Sequence, residues 1–192
     1  MKRNINEGFE TANLKMRVEE NEKTDQILQE ELHKAGDFEF YFGVEETPEN
    51  LQQVTIDREL FFAIYLKDSE TFIGYLGFSP LGDVWEVEIY IIKQYRGQGY
   101  GTEALMGALG EIFSGQWAIM KNGKRHKLMT ECVKSTVRVQ NTASRKMMEK
   151  IGFRTDENIA CCFVLGGSDE LGMIKVVKYV LTKDKYYEKI KG

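Results

Sequence analysis

The chain has 192 residues, of which 42% are hydrophobic and 29% are charged, and its formal net charge is −4 at pH 7. This length suffices for one well-buried domain and is short for two, so we expect a single domain over residues 1–192. The negative charge argues against general nucleic-acid binding. No apolar run approaches the ~20 residues of a membrane span, and the charged residues 1–7 resemble no signal peptide. We therefore expect a cytoplasmic protein without nucleic-acid or membrane partners.

The first half of the chain predicts two helices and a run of antiparallel strands. Residues 13–19 alternate between apolar and polar, which is typical of a half-buried strand. Apolar residues recur at helical spacing after Thr24, and Thr47-Pro48-Glu49 is typical of the start of a short helix with its body at 51–56. Aromatic and β-branched runs then predict a meander of three strands, at 60–66, 71–78 and 84–92.

A glycine-rich turn joins the third of these strands to a helix. Gly97, Gly99 and Gly101 occupy alternate positions, and a helical pattern runs from 102 to 113. Without Cβ atoms, successive backbone N–H groups of the turn can converge on one point. A helix N-terminus also favours a bound anion. The turn therefore predicts a site for a cofactor that carries phosphate.

The second half of the chain is predicted to complete the sheet. Gly107 and Gly110 lie inside the helical pattern and suggest close approach to a neighbouring element. The basic run at 122–127 is predicted to form a solvated loop, with contact to a ribose phosphate as the alternative. A strand at 128–133, a helix at 142–151 ended by Gly152, and strands at 159–165 and 174–181 follow. The elements together predict an α+β domain with a mixed sheet.

The three cysteines favour free thiols over a disulfide framework. Cys132, Cys161 and Cys162 make an odd number, and two of them are adjacent in an apolar run. We expect buried thiols in a reducing compartment. We expect no metal site.

The spacing of the glycines narrows the choice of cofactor. A dinucleotide fingerprint needs glycine where this chain has Thr102, and the Gly-Lys-Ser/Thr of a P-loop is absent. The pattern Gln94-x-x-Gly97-x-Gly99, with Arg96 and Gly101, resembles motif A of the GNAT superfamily of N-acetyltransferases, which bind the pyrophosphate of acetyl-CoA. A glycine-rich turn that binds nothing is the alternative explanation of this segment.

A second stretch resembles motif B of the same superfamily. It comprises Asn141, Ser144 and the run Glu149-Lys150-Ile151-Gly152-Phe153, and an ordinary capped amphipathic helix is the alternative. Residues 9–17 and 179–184 are similar to the first and last strands of the branch that includes the ribosomal-protein N-terminal acetyltransferases. The resemblance thus spans about residues 9–187. It implies a mixed, mostly antiparallel sheet of about seven strands flanked by about four helices.

The resemblance implies an enzyme that transfers the acetyl group of acetyl-CoA to a primary amine by direct attack in a ternary complex. The acceptor would be a small molecule or a peptide or protein N-terminus, and a homodimer is left open. Two other functions remain: a non-catalytic acyl-CoA-binding or regulatory module on the same fold, and an unrelated nucleotide-binding protein.

The resemblance also implies which residues bind the cofactor. The diphosphate is expected on backbone N–H groups from Arg96 to Thr102, with the Arg96 side chain either a charge partner or solvated. A backbone N–H near Ile91, at a splayed strand edge, would polarise the thioester carbonyl. The expected cofactor-binding residues are Ile89, Ile91, Arg96, Gly97, Gln98, Gly99, Tyr100, Gly101, Thr102, Asn141 and Ser144.

Glu86 and Ser144 are predicted to be catalytic. An amine is usually protonated near neutral pH, so a base is needed, and Glu86 matches a glutamate found in many family members. Glu88 on the same strand face is the second candidate, and the alternative roles of Glu86 are to line the acceptor pocket or to form a structural ion pair. Where many relatives have a tyrosine acid this chain has Met148, so Ser144 is the predicted proton donor to the departing thiolate, if one is required.

Overall fold

The computed structural model of the chain describes residues 8–18, 22–37, 60–81, 84–115, 118–121, 124–127, 130–156, 160–165 and 171–191. The strands are β1 (Phe9–Glu10), β2 (Leu14–Val18), β3 (Leu60–Leu66), β4 (Phe72–Leu81), β5 (Val84–Ile91), β6 (Ala118–Lys121), β7 (Lys124–Lys127), β8 (Cys132–Arg138), β9 (Arg154–Thr155), β10 (Ala160–Leu165) and β11 (Leu171–Thr182). The α-helices are α1 (Glu22–Ala35), α2 (Tyr100–Ser114), α3 (Thr142–Ile151) and α4 (Lys183–Lys191). The predicted helix at 51–56 lies outside the described residues.

Nine strands pair in one sheet, in the order β1-β2-β3-β4-β5-β8-β11-β10 with β9 on β11. Only β5 and β8 pair in parallel in this sheet, as far as the described residues extend. The predicted α+β fold with a mixed, mostly antiparallel sheet and about four helices is therefore confirmed. The strand number exceeds the expected seven because β1 and β9 are pieces of two residues each.

The parallel pair β5–β8 is short and splays open. Its ladder contains only Trp85 opposite Val133 and Glu86 opposite Lys134, whereas β4 pairs with β5 up to Ile91. Just beyond the ladder the buried Ser135 hydroxyl donates to the Val87 carbonyl at 3.1 Å. Past this point no ladder joins β5 to β8 in the described residues, and the stretch between the two strands is called the gap below.

The two faces of the sheet are covered by different helices. On one face, Val87, Ile89 and Ile91 of β5 belong to or pack against the main core with α2 and α3. On the other face, Tyr90 and Ile92 cluster with apolar residues of α1. Side chains alternate along a strand, so Glu86 and Glu88 lie on the α1 face.

The two glycines inside α2 lie at close contacts, as predicted. A Cβ added to Gly107 would lie 2.7 Å from Thr11 Cγ2, and one added to Gly110 would lie 2.7 Å from the hydroxyl oxygen of Tyr186. This hydroxyl donates to the Met106 carbonyl at 2.9 Å, so the contact fixes α4 on α2.

Three sequence interpretations were wrong. Residues 124–127 form β7, which pairs with β6, rather than part of a loop. The strand predicted at 128–133 lies at Cys132–Arg138, because buried Val133, Ser135 and Val137 alternate with more polar residues that lowered its apparent apolarity. Cys132 is a free thiol that is partly exposed rather than buried.

No helix in the described part of the chain is long and apolar enough to cross a membrane.

Candidate active site

A cleft of about 380 Å³ lies where β5, the glycine turn, α2 and α3 meet. It is lined by residues of these elements and by one residue that follows α1: Asp37, Ile89, Tyr90, Ile91, Tyr95, Arg96, Gly97, Gly99, Tyr100, Gly101, Thr102, Asn141, Ala143, Ser144 and Met147. Most of the predicted cofactor-binding residues are therefore brought together in one cavity.

The glycine turn presents bare backbone to the cleft. Gly97 has φ 75° and Gly99 has φ 90°, conformations that L side chains rarely adopt, and a Cβ at either position would meet no protein atom within 4 Å. Gly99 begins α2 without any side-chain cap, and the Glu103 N–H donates to the Gly99 carbonyl at 3.0 Å. The N–H groups of residues 100–102 precede this first helical bond, so they lack intrahelical partners, and with the helix dipole they suit a phosphate group.

The gap beside β5 adds a second set of backbone groups. The Ile92 N–H donates to the Ile73 carbonyl of β4 at 2.9 Å. Because successive residues of a strand point their backbone groups to opposite edges, those of Ile91 and Ile89 face the gap. The ladder with β8 does not reach these two residues.

Arg96 is held by the protein itself. Its Nε donates to the Ile91 carbonyl at 2.7 Å, and its Nη2 lies 2.6 Å from Asp37 Oδ2. The guanidinium carbon lies 5.1 Å from the centre of the Tyr90 ring. The side chain is 41% exposed, in agreement with the expected solvated position, and its role as charge partner of a phosphate stays a prediction.

Tyr90 contacts both members of the Arg96–Asp37 pair. Its hydroxyl donates to Asp37 Oδ2 at 3.4 Å. Burial raises the pKa of Tyr90 to about 12; nearby Arg96 opposes the shift and Asp37 adds to it. The phenol therefore stays protonated at neutral pH and acts as a donor.

Asn141 and Ser144 begin α3 at the edge of the cleft. The side chain of Asn141 accepts from the Ser144 N–H at 3.1 Å, which caps the helix, and Gly152 with φ 110° ends it. The ordinary capping role thus holds, and both residues also line the cleft. Met148 packs in the main core instead.

Two predicted site residues do not line the cleft. Glu86, on the α1 face, accepts a hydrogen bond of 2.6 Å from the Thr136 hydroxyl. The side chain of Gln98 donates to the Gln94 carbonyl at 3.2 Å at the surface. Conversely, the cleft also contains Asp37, Tyr90, Tyr95, Ala143 and Met147, which the sequence analysis does not predict as site residues.

The geometry agrees with comparisons to solved structures. A GCN5-related N-acetyltransferase from Brucella melitensis is 19% identical, with a TM-score of 0.68 over 100% of this chain and 85% of that chain. The ribosomal-protein-S5-alanine acetyltransferase from Vibrio fischeri is 14% identical, with a TM-score of 0.65 over 93% and 98%. The spermidine/spermine N-acetyltransferase from Vibrio cholerae is 13% identical, with a TM-score of 0.64 over 93% and 99%.

The neighbours represent several branches, so the likeness supports the fold and not the predicted branch. A search of curated proteins found no match. The sequence itself matches the GNAT acetyltransferase domain over residues 16–154, which is most of the chain. The chain therefore belongs to the GNAT family of acetyltransferases, enzymes that typically take the acetyl group from acetyl-CoA.

Proposed function

We propose that this enzyme transfers the acetyl group of acetyl-CoA to a primary amine of a small molecule or of a peptide or protein N-terminus. The observation that carries the proposal is the joining of two bare backbone surfaces in one cleft, the glycine turn and the open edge of β5. Acetyl-CoA, when bound, supplies a thioester whose carbonyl carbon accepts the amine.

The chain's backbone would perform most of the binding. The N–H groups at 97–102 would hold the diphosphate, since they lie at the positive end of α2. The Arg96 N–H, also expected there, donates to the Lys93 carbonyl instead. Backbone groups of Ile89 and the N–H of Ile91 would hold the pantetheine, and the Ile91 N–H would polarise the thioester carbonyl, since the Ile91 carbonyl already accepts from Arg96. Asn141 and Ser144 would contact the same arm from α3.

Glu86 is the proposed base that takes the proton of the ammonium group. Ile89 and Ile91 line the cleft from one face of β5, whereas Glu86 lies on the α1 face, to which Tyr90 at the end of the cleft also belongs. An amine approaching from the α1 face would meet the carbonyl through the gap between β5 and β8. The Thr136 hydroxyl, 2.6 Å from Glu86, would keep the carboxylate in place. Glu88 is the alternative base, and Ser144 is the proposed proton donor to the thiolate.

The acceptor is proposed only as an amine class. The names of two structural neighbours indicate a ribosomal-protein alanine and spermidine or spermine, which are very different acceptors. Acceptor pockets differ within one fold, so this likeness does not transfer either substrate.

Calorimetric titration with acetyl-CoA, followed by a thiol-release assay against a panel of amines, tests the proposal. We expect saturable binding of acetyl-CoA and amine-dependent release of CoA. Absence of binding, or preferential binding of ATP or NAD, would reject the proposal. Binding without thiol release for polyamines, amino sugars and peptide N-termini would instead favour a non-catalytic module.

A further inference from the structure

The ion pair between Asp37 and Arg96 joins two elements that are 59 residues apart in the chain. Asp37 follows the C-terminus of α1, where its own N–H donates to the Leu32 carbonyl at 2.9 Å. Gly36, with φ 65°, makes the turn that places it there. The carboxylate is thus carried by the end of a packed helix, since Leu32 is fully buried.

The other end of the pair, Arg96, makes several contacts although its side chain is partly exposed. Arg96 directs one nitrogen to Asp37 and another to the Ile91 carbonyl, and its plane covers Tyr90. The backbone of Arg96 closes a tight turn by donating to the Lys93 carbonyl at 3.2 Å. A planar guanidinium can serve these partners together, which the ammonium of a lysine cannot do.

The pair also removes a charge repulsion that Asp37 would otherwise exert on a phosphate in the cleft. Asp37 lines the cavity, where an unpaired carboxylate would repel a phosphate. Arg96 neutralises that carboxylate. If Arg96 moved to a bound phosphate, it would abandon Asp37 and Ile91 and leave the repulsion in place.

We propose that Asp37 is a positioning residue that ties α1 to the glycine turn through Arg96, and that Arg96 stays on Asp37 when the cofactor binds. The tie holds the turn in its binding conformation before the ligand arrives. It also links the helix on the Glu86 face to the cofactor cleft. The inference rests on the proposed function in that it takes acetyl-CoA to be the ligand of the turn.

The two possible roles of Arg96, positioning the turn or binding a phosphate, predict opposite changes in CoA affinity for Asp37→Asn. If the pair positions the turn, loss of the carboxylate weakens binding, by about three- to tenfold for a partly exposed charged hydrogen bond. If Arg96 is a phosphate ligand, Asp37→Asn frees it and binding becomes tighter. Glu30→Gln is the matched control, because it also removes one carboxylate charge, within α1 and at a site that pairs only weakly, 3.7 Å from Lys34.

The experiment measures the dissociation constant of CoA by calorimetry for wild type, Asp37→Asn, Arg96→Lys, the double variant and Glu30→Gln. We expect similar losses for both single variants, no further loss in the double variant, and wild-type affinity for the control. Unchanged or tighter binding by Asp37→Asn would overturn the inference, as would additive losses in the double variant.

Hydrogen exchange on the ligand-free protein provides a readout that does not depend on the cofactor. We expect faster amide exchange in Asp37→Asn at both 32–37 and 93–102, with thermal unfolding confirming that the variant is folded. Unchanged exchange at 93–102 would refute the tie. If wild type bound no CoA, the proposed function would fail while the exchange result still tested the tie.

Discussion

Replacing Gly99 by aspartate tests whether the glycine turn holds a diphosphate. Gly99 lines the cleft with φ 90°, and a Cβ built on it would meet no protein atom within 4 Å. Aspartate and asparagine are the side chains that best tolerate this left-handed region, at about 1 kcal/mol, so both variants should fold. They have almost the same size and differ in charge.

The expected loss of affinity follows from Coulomb's law. Two unit charges about 5 Å apart interact by about 0.8 kcal/mol at the dielectric constant of water and about 3 kcal/mol at an effective value of 20. A diphosphate carries two such charges, so at the dielectric constant of water the repulsion from Gly99→Asp is about 1.6 kcal/mol, or a roughly 15-fold weaker affinity for CoA. Gly99→Asn loses only what the added bulk removes.

The assay is calorimetric titration of CoA into wild type, Gly99→Asp and Gly99→Asn, at about 0.1 M and about 1 M salt. We expect the aspartate variant to bind more weakly than the asparagine variant, with a smaller gap at high salt because ions screen the repulsion. Equal, wild-type affinity in both variants would refute the placement of the diphosphate at this turn.

Three further substitutions test the base, one electrostatic contact and one close contact. Glu86→Gln should lower turnover by about 10²- to 10⁴-fold with little change in CoA affinity, because an amide takes up no proton; unchanged turnover in a thiol-release assay would exclude Glu86 as the base. Glu103→Gln should lower the thermal unfolding midpoint at pH 7, because the carboxylate accepts from the backbone and side chain of Asn13 at 2.7 and 2.9 Å. Burial alone would raise the pKa of Glu103, but hydrogen bonds led by those of Asn13 leave it lowered. This stabilisation is therefore complete above the ordinary pKa of 4.5 and is lost as pH falls through the lower folded-state pKa. The difference in unfolding midpoint between wild type and Glu103→Gln should therefore shrink below about pH 4.5, and a difference that stays constant with pH would contradict the assignment. Gly110→Ala should destabilise the fold by about 1–2 kcal/mol in urea unfolding despite the better helix propensity of alanine, since the new Cβ lies 2.7 Å from the Tyr186 hydroxyl; if adding Tyr186→Phe restores no stability, the overlap is not the cause.

The sequence predicts best those elements that have both a clear hydrophobic pattern and recognisable residues at their ends. The helix at Thr142–Ile151 was predicted at both ends, because Asn141 caps it and Gly152 stops it. The strand at Leu60–Leu66 was predicted at both ends from its aromatic and β-branched run. Such local signals act within a few residues, so they can be recognised without knowledge of the tertiary structure.

The missed elements depend on signals of another kind. Helix α4 is polar along most of its length and buries only Tyr186 among its residues, so its position comes from the contact with α2 rather than from amphipathicity. The hairpin β6–β7 lies in a basic run, yet Asn122-Gly123 joins its strands in the sequence, and this dipeptide is a strong hairpin signal. The basic residues that follow the dipeptide favour a solvated loop, so the hairpin was not predicted.

The same distinction explains which half of the active site the sequence reveals. A surface made of backbone amides requires particular residues, because only glycine readily adopts φ 75° and 90° and leaves the amides uncovered, so Gly97 and Gly99 can be recognised in one sequence. Asp37 reaches Arg96 across 59 residues, and nothing local to either residue announces the pair. An acceptor pocket is built from side chains, and many combinations of side chains can hold one amine. The proposed cofactor site thus depends on backbone geometry that glycines reveal in the sequence, whereas identifying the acceptor requires substrates to be tested directly.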